Sequence, residues 1–217
     1  MSLASALVDL LIPPVCVGCG AAKRYWCVVC AQQLATPAFK DIPGLPLLAA
    51  AGAYEGSVRK LVHAWKEDGA GVLTAALVPP LTHAILTLLS KAGDGPVTLV
   101  PVPPTASSLR RRGVDPLRTL ARDTTVHLAS LGFDVRLLEA VASSRARRDQ
   151  SELSATARVK NMQGSLQLVR RPFTPVVVID DIVTTGATLR ETVRALGAET
   201  TVLGCAVVAA TPKHVLP

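Results

Sequence analysis

Residues 176–188 constrain the fold of this chain more than any other stretch. Val176-Val177-Val178-Ile179 are four β-branched residues in a row, the composition of a short strand buried on both faces. Asp180 and Asp181 stand at its carboxyl end, and Thr184-Thr185-Gly186-Ala187-Thr188 leads into a helix over 188–196 that Gly197 stops. A strand, a tight loop and a helix in that order make a βα unit, and in open α/β sheets ligands bind beyond the carboxyl ends of the strands.

Each part of the stretch suits one part of a ligand. Unpaired N–H groups in the first turn of the helix and its dipole favour an anion, and small residues let the backbone approach it. The hydroxyls of Thr184, Thr185 and Thr188 add donors. Two carboxylates repel a phosphate but accept hydrogen bonds from sugar hydroxyls. Phosphate donors beside hydroxyl acceptors describe a ribose 5-phosphate group, most readily that of phosphoribosyl pyrophosphate (PRPP). The competing reading is an ordinary buried strand before a capped helix.

The rest of the chain is consistent with an α/β protein. Hydrophobic residues make up 49% of it and aromatics 3%, so a core can form and must be built from Val, Leu, Ala and Ile. Strand patterns at 47–54, 97–102, 134–141, 165–169, 176–179 and 201–209 alternate with helical ones. Ser57 is placed to cap a helix ending at Trp65. Val72–Leu89 reads as a long apolar helix with a bend at Pro79-Pro80. Asp115-Pro116 opens a helix to about Leu131, and 142–163 reads as a polar loop with a short helix. The expected class is α/β, a mostly parallel sheet flanked by helices. Leu3, Ala6, Leu7, Leu10 and Leu11 predict a short amphipathic helix at the start. No signal peptide is expected there, no apolar run is judged long enough to span a membrane, and the chain is read as cytoplasmic with no membrane insertion.

The chain carries a formal charge of +7. The excess is mostly Arg, in Arg110-Arg111-Arg112, Arg145, Arg147, Arg148 and Arg170-Arg171. It suits an anionic partner, either a phosphorylated small molecule or nucleic acid, as well as a merely solvated surface. Val100-Pro101-Val102-Pro103 ends a strand before Arg110–Arg112, and Arg145, Arg148, Gln150, Arg158 and Asn161 share the later polar loop. Arg112, Arg145 and Arg148 are therefore candidate ligands for a pyrophosphate, with an Arg-rich loop able to close over it and exclude water.

Four of the five cysteines lie near the start, as Cys16-x-x-Cys19 and Cys27-x-x-Cys30. Two such knuckles suit one tetrahedral zinc ion. Two disulfides or free thiols are the alternatives, and a reducing compartment disfavours the first. Four thiolates leave no open position, so such a zinc is structural and stabilises a segment too short to build its own core. Tyr25 and Trp26, between the knuckles, are expected to fill that small core. Residues 36–46, rich in Pro, read as a linker, giving an N-terminal unit over 1–46 and a larger domain over 47–217. Cys205 is expected to be buried in the sheet. His63, His83, His127 and His214 show no ligand pattern.

The 176–188 stretch resembles the PRPP signature of the type I phosphoribosyltransferases. The resemblance implies that Asp180 and Asp181 hold the ribose hydroxyls in the catalytic centre, that Thr184, Thr185, Gly186, Ala187 and Thr188 cradle the 5-phosphate, and that magnesium accompanies PRPP. The order Tyr54-Glu55-Gly56, Trp65-Lys66, Pro101-Val102-Pro103, Arg112-Gly113, Arg145, Gln150, Arg158, Asn161, taken with the cysteine knuckles, resembles the ComF/GntX family. That family joins a zinc ribbon to a phosphoribosyltransferase-like domain. The chain departs from it at Val114-Asp115, where an aromatic and Asn are usual, and near Leu166, where Phe is usual.

Two functions follow as expectations. One is a transferase that moves the phosphoribosyl group of PRPP to an unidentified acceptor base, with residues 47–90 as the candidate cover for that base. The other is a non-catalytic PRPP sensor or a single-stranded-DNA-binding protein of the DNA-uptake (competence) type. The ribbon could also hold DNA or a protein partner. Sparse aromatics weigh against base stacking, so the transferase is the favoured reading.

Overall fold

The computed structural model describes residues 14–67, 71–90, 95–104, 115–144 and 163–212. Its centre is a six-stranded sheet in the order β1-β2-β8-β7-β3-β4. The strands are β1 (Ala38–Lys40), β2 (Leu48–Ala53), β3 (Val97–Pro101), β4 (Val135–Leu137), β7 (Val176–Val183) and β8 (Val202–Ala210). All neighbours are parallel except β1, an antiparallel edge strand on β2. A separate antiparallel hairpin pairs β5 (Val141–Ser143) with β6 (Leu166–Leu168).

Among the described residues, five α-helices accompany the strands: α1 (Val28–Ala31), α2 (Gly56–Glu67), α3 (Val72–Leu89), α4 (Pro116–Ser130) and α5 (Ala187–Leu196). Helix α3 packs on β2, β8 and α4, while α5 packs on β7 and the β5–β6 hairpin. From β3 the chain steps outward to β4, and from β7 it steps the other way to β8. Right-handed crossovers then put α4 and α5 on opposite faces. The connections diverge between β3 and β7, so the crevice beyond their carboxyl ends is the topological switch point of the sheet.

The strands in the middle of the sheet are buried because helices cover both faces. Leu99, Val100, Val176–Ile179 and Cys205–Ala210 are sealed from solvent. Two short approaches hold the edge. A Cβ on Gly52 would sit 2.4 Å from the Gln33 carbonyl oxygen, and one on Gly204 2.6 Å from that of Leu47, so only glycine lets these backbones meet.

Several expectations change. β7 does not stop at Ile179; β8 is long enough to pair it onward through Asp180↔Val207, Ile182↔Ala209 and Val183↔Ala210. Asp180 and Asp181 therefore lie inside a strand. The pattern over 134–141 splits into β4 and β5 in different sheets, because the Ala140 N–H turns back to the Leu138 carbonyl and the Ala140 carbonyl accepts from Val169 and Arg170. The segment read as a linker supplies β1 and the buried Ile42. Ser57 lies inside α2, its hydroxyl donating to Gln33 Oε1 at 2.7 Å instead of capping. Helix α3, by contrast, spans Val72–Leu89 as expected, with Pro79 and Pro80 inside it. It is also long and apolar enough, by length and composition, to cross a membrane, with 50% of that window buried in the protein as in a core helix. Asp115 does cap α4, accepting from Leu117 N at 3.1 Å. The amphipathic pattern at 3–11 and the short helix expected within 142–163 lie outside the described residues, apart from residues 142–144 and 163.

Candidate functional site

The switch point places two carboxylates side by side. Asp180 is 9% exposed. Its Oδ1 accepts the Asp181 backbone N–H at 2.8 Å, while Asp181 Oδ2 pairs with Lys66 Nζ at 2.8 Å. Burial, and then the charge of Asp181, pushes the Asp180 carboxyl well above the usual carboxylate range. Asp115 at the head of α4 is also raised, by burial first and then in part by the charges of Asp181 and Glu139 against two backbone donors. Behind the pair, burial and the Asp180 charge push the Cys205 thiol up to about 12. Three carboxylates thus share one end of the sheet, and Lys66 is the cation bonded to them among the described residues.

The loop that follows turns the chain out of β7 into α5. Gly186 adopts φ 73° as the N-cap, and a Cβ there would meet Leu45 at 3.0 Å and Ile42 at 3.2 Å. Glycine is thus required for conformation and for space. Arg190 braces the loop from one turn along, donating to the Thr185 carbonyl at 2.7 Å and to the Pro43 carbonyl at 3.0 Å. The side chains of Thr184 and Thr185 are exposed, and Ala187 and Thr188 are half-buried. The loop is open to a ligand while its backbone is held from behind. The Thr211 N–H adds a bond to the Val183 carbonyl, tying the ends of β7 and β8.

A family model for the phosphoribosyl transferase domain matches residues 81–217. The chain belongs to the phosphoribosyl transferase domain family. No curated protein matches it. Among solved structures it is similar to a hypoxanthine phosphoribosyltransferase from Staphylococcus aureus, with 16% identity and a TM-score of 0.34 over 64% of this chain and 65% of that one. The chain thus spans just under two thirds of that relative's length.

Within the phosphoribosyl transferase domain, β3 ends at Pro101 opposite Ile179, and the Val102 N–H still donates to the Ile179 carbonyl at 2.9 Å. The chain therefore leaves β3 directly beside Asp180. Arg112, Arg145 and Arg148, together with Gln150, Arg158 and Asn161, lie outside the described residues. The stems of the later segment are described: Ser144 donates from its backbone to the Ser165 carbonyl and from its hydroxyl to the Gly164 carbonyl. The hairpin carrying these stems is pinned to α5. Glu191 accepts from Leu166 N at 3.0 Å, and Arg194 donates to the Leu166 carbonyl at 2.9 Å and to Glu191. Residues 47–90, expected as a cover for the acceptor, supply β2, α2 and α3, and Lys66 is their contribution to the carboxylate cluster.

The cysteine cluster lies before the family match. The Sγ atoms of Cys16, Cys19, Cys27 and Cys30 lie within 4.8 Å of one another, and all five cysteines are free thiols. That spacing fits four ligands around one metal ion. Burial raises the Cys16 thiol, but backbone N–H donors of Cys19, Cys27 and Gly18 outweigh it and bring it down to about 6. Cys27 N stands 3.4 Å from that sulfur. Burial pushes Cys30 up to about 12. Trp26, expected in the small core of the ribbon, packs half-buried against the main hydrophobic core, and Tyr25 is 42% exposed. The cluster rests on α2: Lys60 Nζ donates to the Gly18 carbonyl at 3.1 Å, and a Cβ on Gly18 would lie 2.7 Å from Ser57.

Sequence reasoning missed the roles of Lys66 and Arg190. Lys66 acts on Asp181, far away in the chain, and Arg190 joins the nearby Thr185 carbonyl to the distant Pro43 carbonyl. The one local signal was a basic residue at a helix end or one turn inside it.

Proposed function

We propose that this protein binds PRPP at the ends of β3 and β7 and transfers its phosphoribosyl group to an acceptor base. The observation that carries this is the Asp180–Asp181 pair at the switch point, beside the open Thr184–Thr188 loop, in a phosphoribosyl transferase domain. The carboxylates accept the ribose hydroxyls, and the loop N–H groups and threonine hydroxyls take the 5-phosphate. As pyrophosphate leaves C1, positive charge grows on the ribose, and the nearby carboxylates favour it. Magnesium, when bound with PRPP, neutralises the leaving group. Arg112, Arg145 and Arg148 are the proposed pyrophosphate ligands. The acceptor class is a nucleobase, whose ring nitrogen attacks C1.

We further propose that Cys16, Cys19, Cys27 and Cys30 hold one structural zinc ion, in keeping with a cytoplasmic, reducing setting, and that the chain is of the ComF type. The exposed Tyr25, beside Lys23 and Arg24, favours a second reading in which the ribbon contacts single-stranded DNA or a protein partner and PRPP is bound without transfer.

Calorimetry with PRPP and magnesium tests the site. Asp180→Asn with Asp181→Asn is expected to weaken binding by about a hundredfold or more, as the loss of two charge-assisted interactions implies. Unchanged affinity in that variant overturns the site. Pyrophosphate release that depends on one base in a pool names the acceptor. PRPP binding without release from any base, with salt-sensitive binding of single-stranded DNA, moves the protein to the second reading.

A further inference from the structure

We propose that Lys66 is a ligand-binding residue that takes the pyrophosphate end of PRPP, leaving Asp181 when the ligand arrives. The proposal rests on the PRPP reading above. Lys66 Nζ stands 2.8 Å from Asp181 Oδ2, and the two side chains are 26% and 19% exposed. This is a largely enclosed pair, unlike the solvated bridge that a lysine in the last turn of a helix ordinarily makes. Its backbone is fixed. Next to it, Trp65 is sealed from solvent and donates from Nε1 to Thr74 Oγ1 at 3.0 Å. Further back, Lys60 and Ser57 bind α2 to Gly18 and Gln33. The ammonium is thus presented by a rigid helix.

Charge logic sets its role. Asp180, Asp181 and Asp115 crowd one end of the sheet, and Lys66 lowers the cost of Asp180 ionisation as Asp115 and Asp181 raise it. A polyanionic ligand cannot approach three carboxylates without a cation between them. The ribose carbon bearing one of the two hydroxyls is bonded to C1, which carries the pyrophosphate. A cation held on a carboxylate that binds those hydroxyls is therefore within a side-chain swing of the pyrophosphate oxygens. Once ribose hydroxyls donate to Asp181, the ammonium is released to the stronger anion.

Calorimetry on the full chain, with magnesium, compares PRPP with ribose 5-phosphate, which lacks the pyrophosphate. Lys66→Met should lose PRPP affinity by about tenfold or more, the scale of one charge-assisted contact, and change ribose 5-phosphate affinity by less than about threefold. Lys66→Arg should recover most of the loss. Unaltered circular dichroism and melting show that the variants are folded, and the Arg variant carries the test should the Met variant fail to fold. Equal PRPP affinity in wild type and Lys66→Met, tighter binding in the variant, or equal losses for both ligands would each overturn the proposal. In those cases the wild type still binds PRPP, so the PRPP reading stands. A wild type that binds neither ligand overturns that reading, and the role of Lys66 falls with it.

Discussion

The cysteine cluster and the β7–α5 junction are held together by different means. Around the cluster, helix α1 is four residues long, and Val15, Val28 and Val29 are each more than half exposed. Cys16, Cys30 and Leu34 are its buried apolar side chains among the described residues before β1. At the junction, Val176–Ile179 are wholly buried and bonded to strands on both sides. A thin core needs cross-linking by ligands; a thick one positions charged groups by burial alone. Helix α2 touches both regions, with Ser57 and Lys60 at the cluster and Lys66 at Asp181.

The contrast can be broken most severely at the thiols. Removing the proposed zinc with a chelator under reducing conditions, or replacing its ligands by Cys16→Ser with Cys30→Ser, should open residues 14–35 locally. A structural zinc site contributes on the order of 10 kcal/mol in small domains. Hydrogen exchange should therefore rise about a hundredfold or more there while β7 and β8 keep their protection. Simultaneous loss in both regions would show one cooperative unit. The converse perturbation is Ile179→Ala. Ile179 is fully buried, so the cavity should cost about 2–4 kcal/mol, read as a lower denaturation midpoint with metal content unchanged.

The sequence made some of this legible and left the rest hidden for a physical reason. The β-branched run, the Asp pair and the Thr-Thr-Gly loop are short-range signals, and the structure joins them as one βα unit. The knuckle spacing likewise foretold four neighbouring sulfurs. The end of β7 was not visible, since its length is set by hydrogen bonds from β8. Neither was the splitting of 134–141 between two sheets, which depends on where β3 ends its pairing with β4. Ser57 illustrates the same limit: its capping signal is genuine, but Gln33 offers the hydroxyl a closer partner. Lys66 reaches Asp181, and Arg190 reaches the Pro43 carbonyl, only once distant parts of the chain have folded together.

A smaller effect is expected at the link between α5 and the β5–β6 hairpin. Burial pushes Glu191 up, but the Arg194 guanidinium and the Leu166 N–H outweigh it and leave its carboxyl below the usual range. A depressed carboxyl contributes stability above its unfolded pKa of about 4.3 and loses it as pH falls through the folded value. Glu191→Gln should accordingly cost about 1–2 kcal/mol at pH 7 by weakening these bonds, with the difference from wild type shrinking in acid. A pH-independent difference in denaturant midpoints would mean that packing, not charge, makes the link.

The smallest expected effect has the opposite sign. The Asp180 carboxyl is raised by its burial and by Asp181, so its stabilising contribution is fully present below the unfolded pKa, about 3.9, and is lost as pH rises through the folded value. Keeping this carboxyl buried is therefore a cost to the fold above that range. Asp180→Asn keeps an oxygen to accept the Asp181 N–H and removes its charge. The variant should gain about 0.5–1.5 kcal/mol at pH 7–8, within the range of relieved functional-site strain. The gain should fade toward pH 4, while PRPP affinity falls. Thermal melting across that pH range decides the matter. A variant less stable than wild type at pH 8 would show that Lys66 and the Asp181 backbone N–H already balance the charge of Asp180, and that the junction, like the cysteine cluster, depends on an ionic link and not on burial alone.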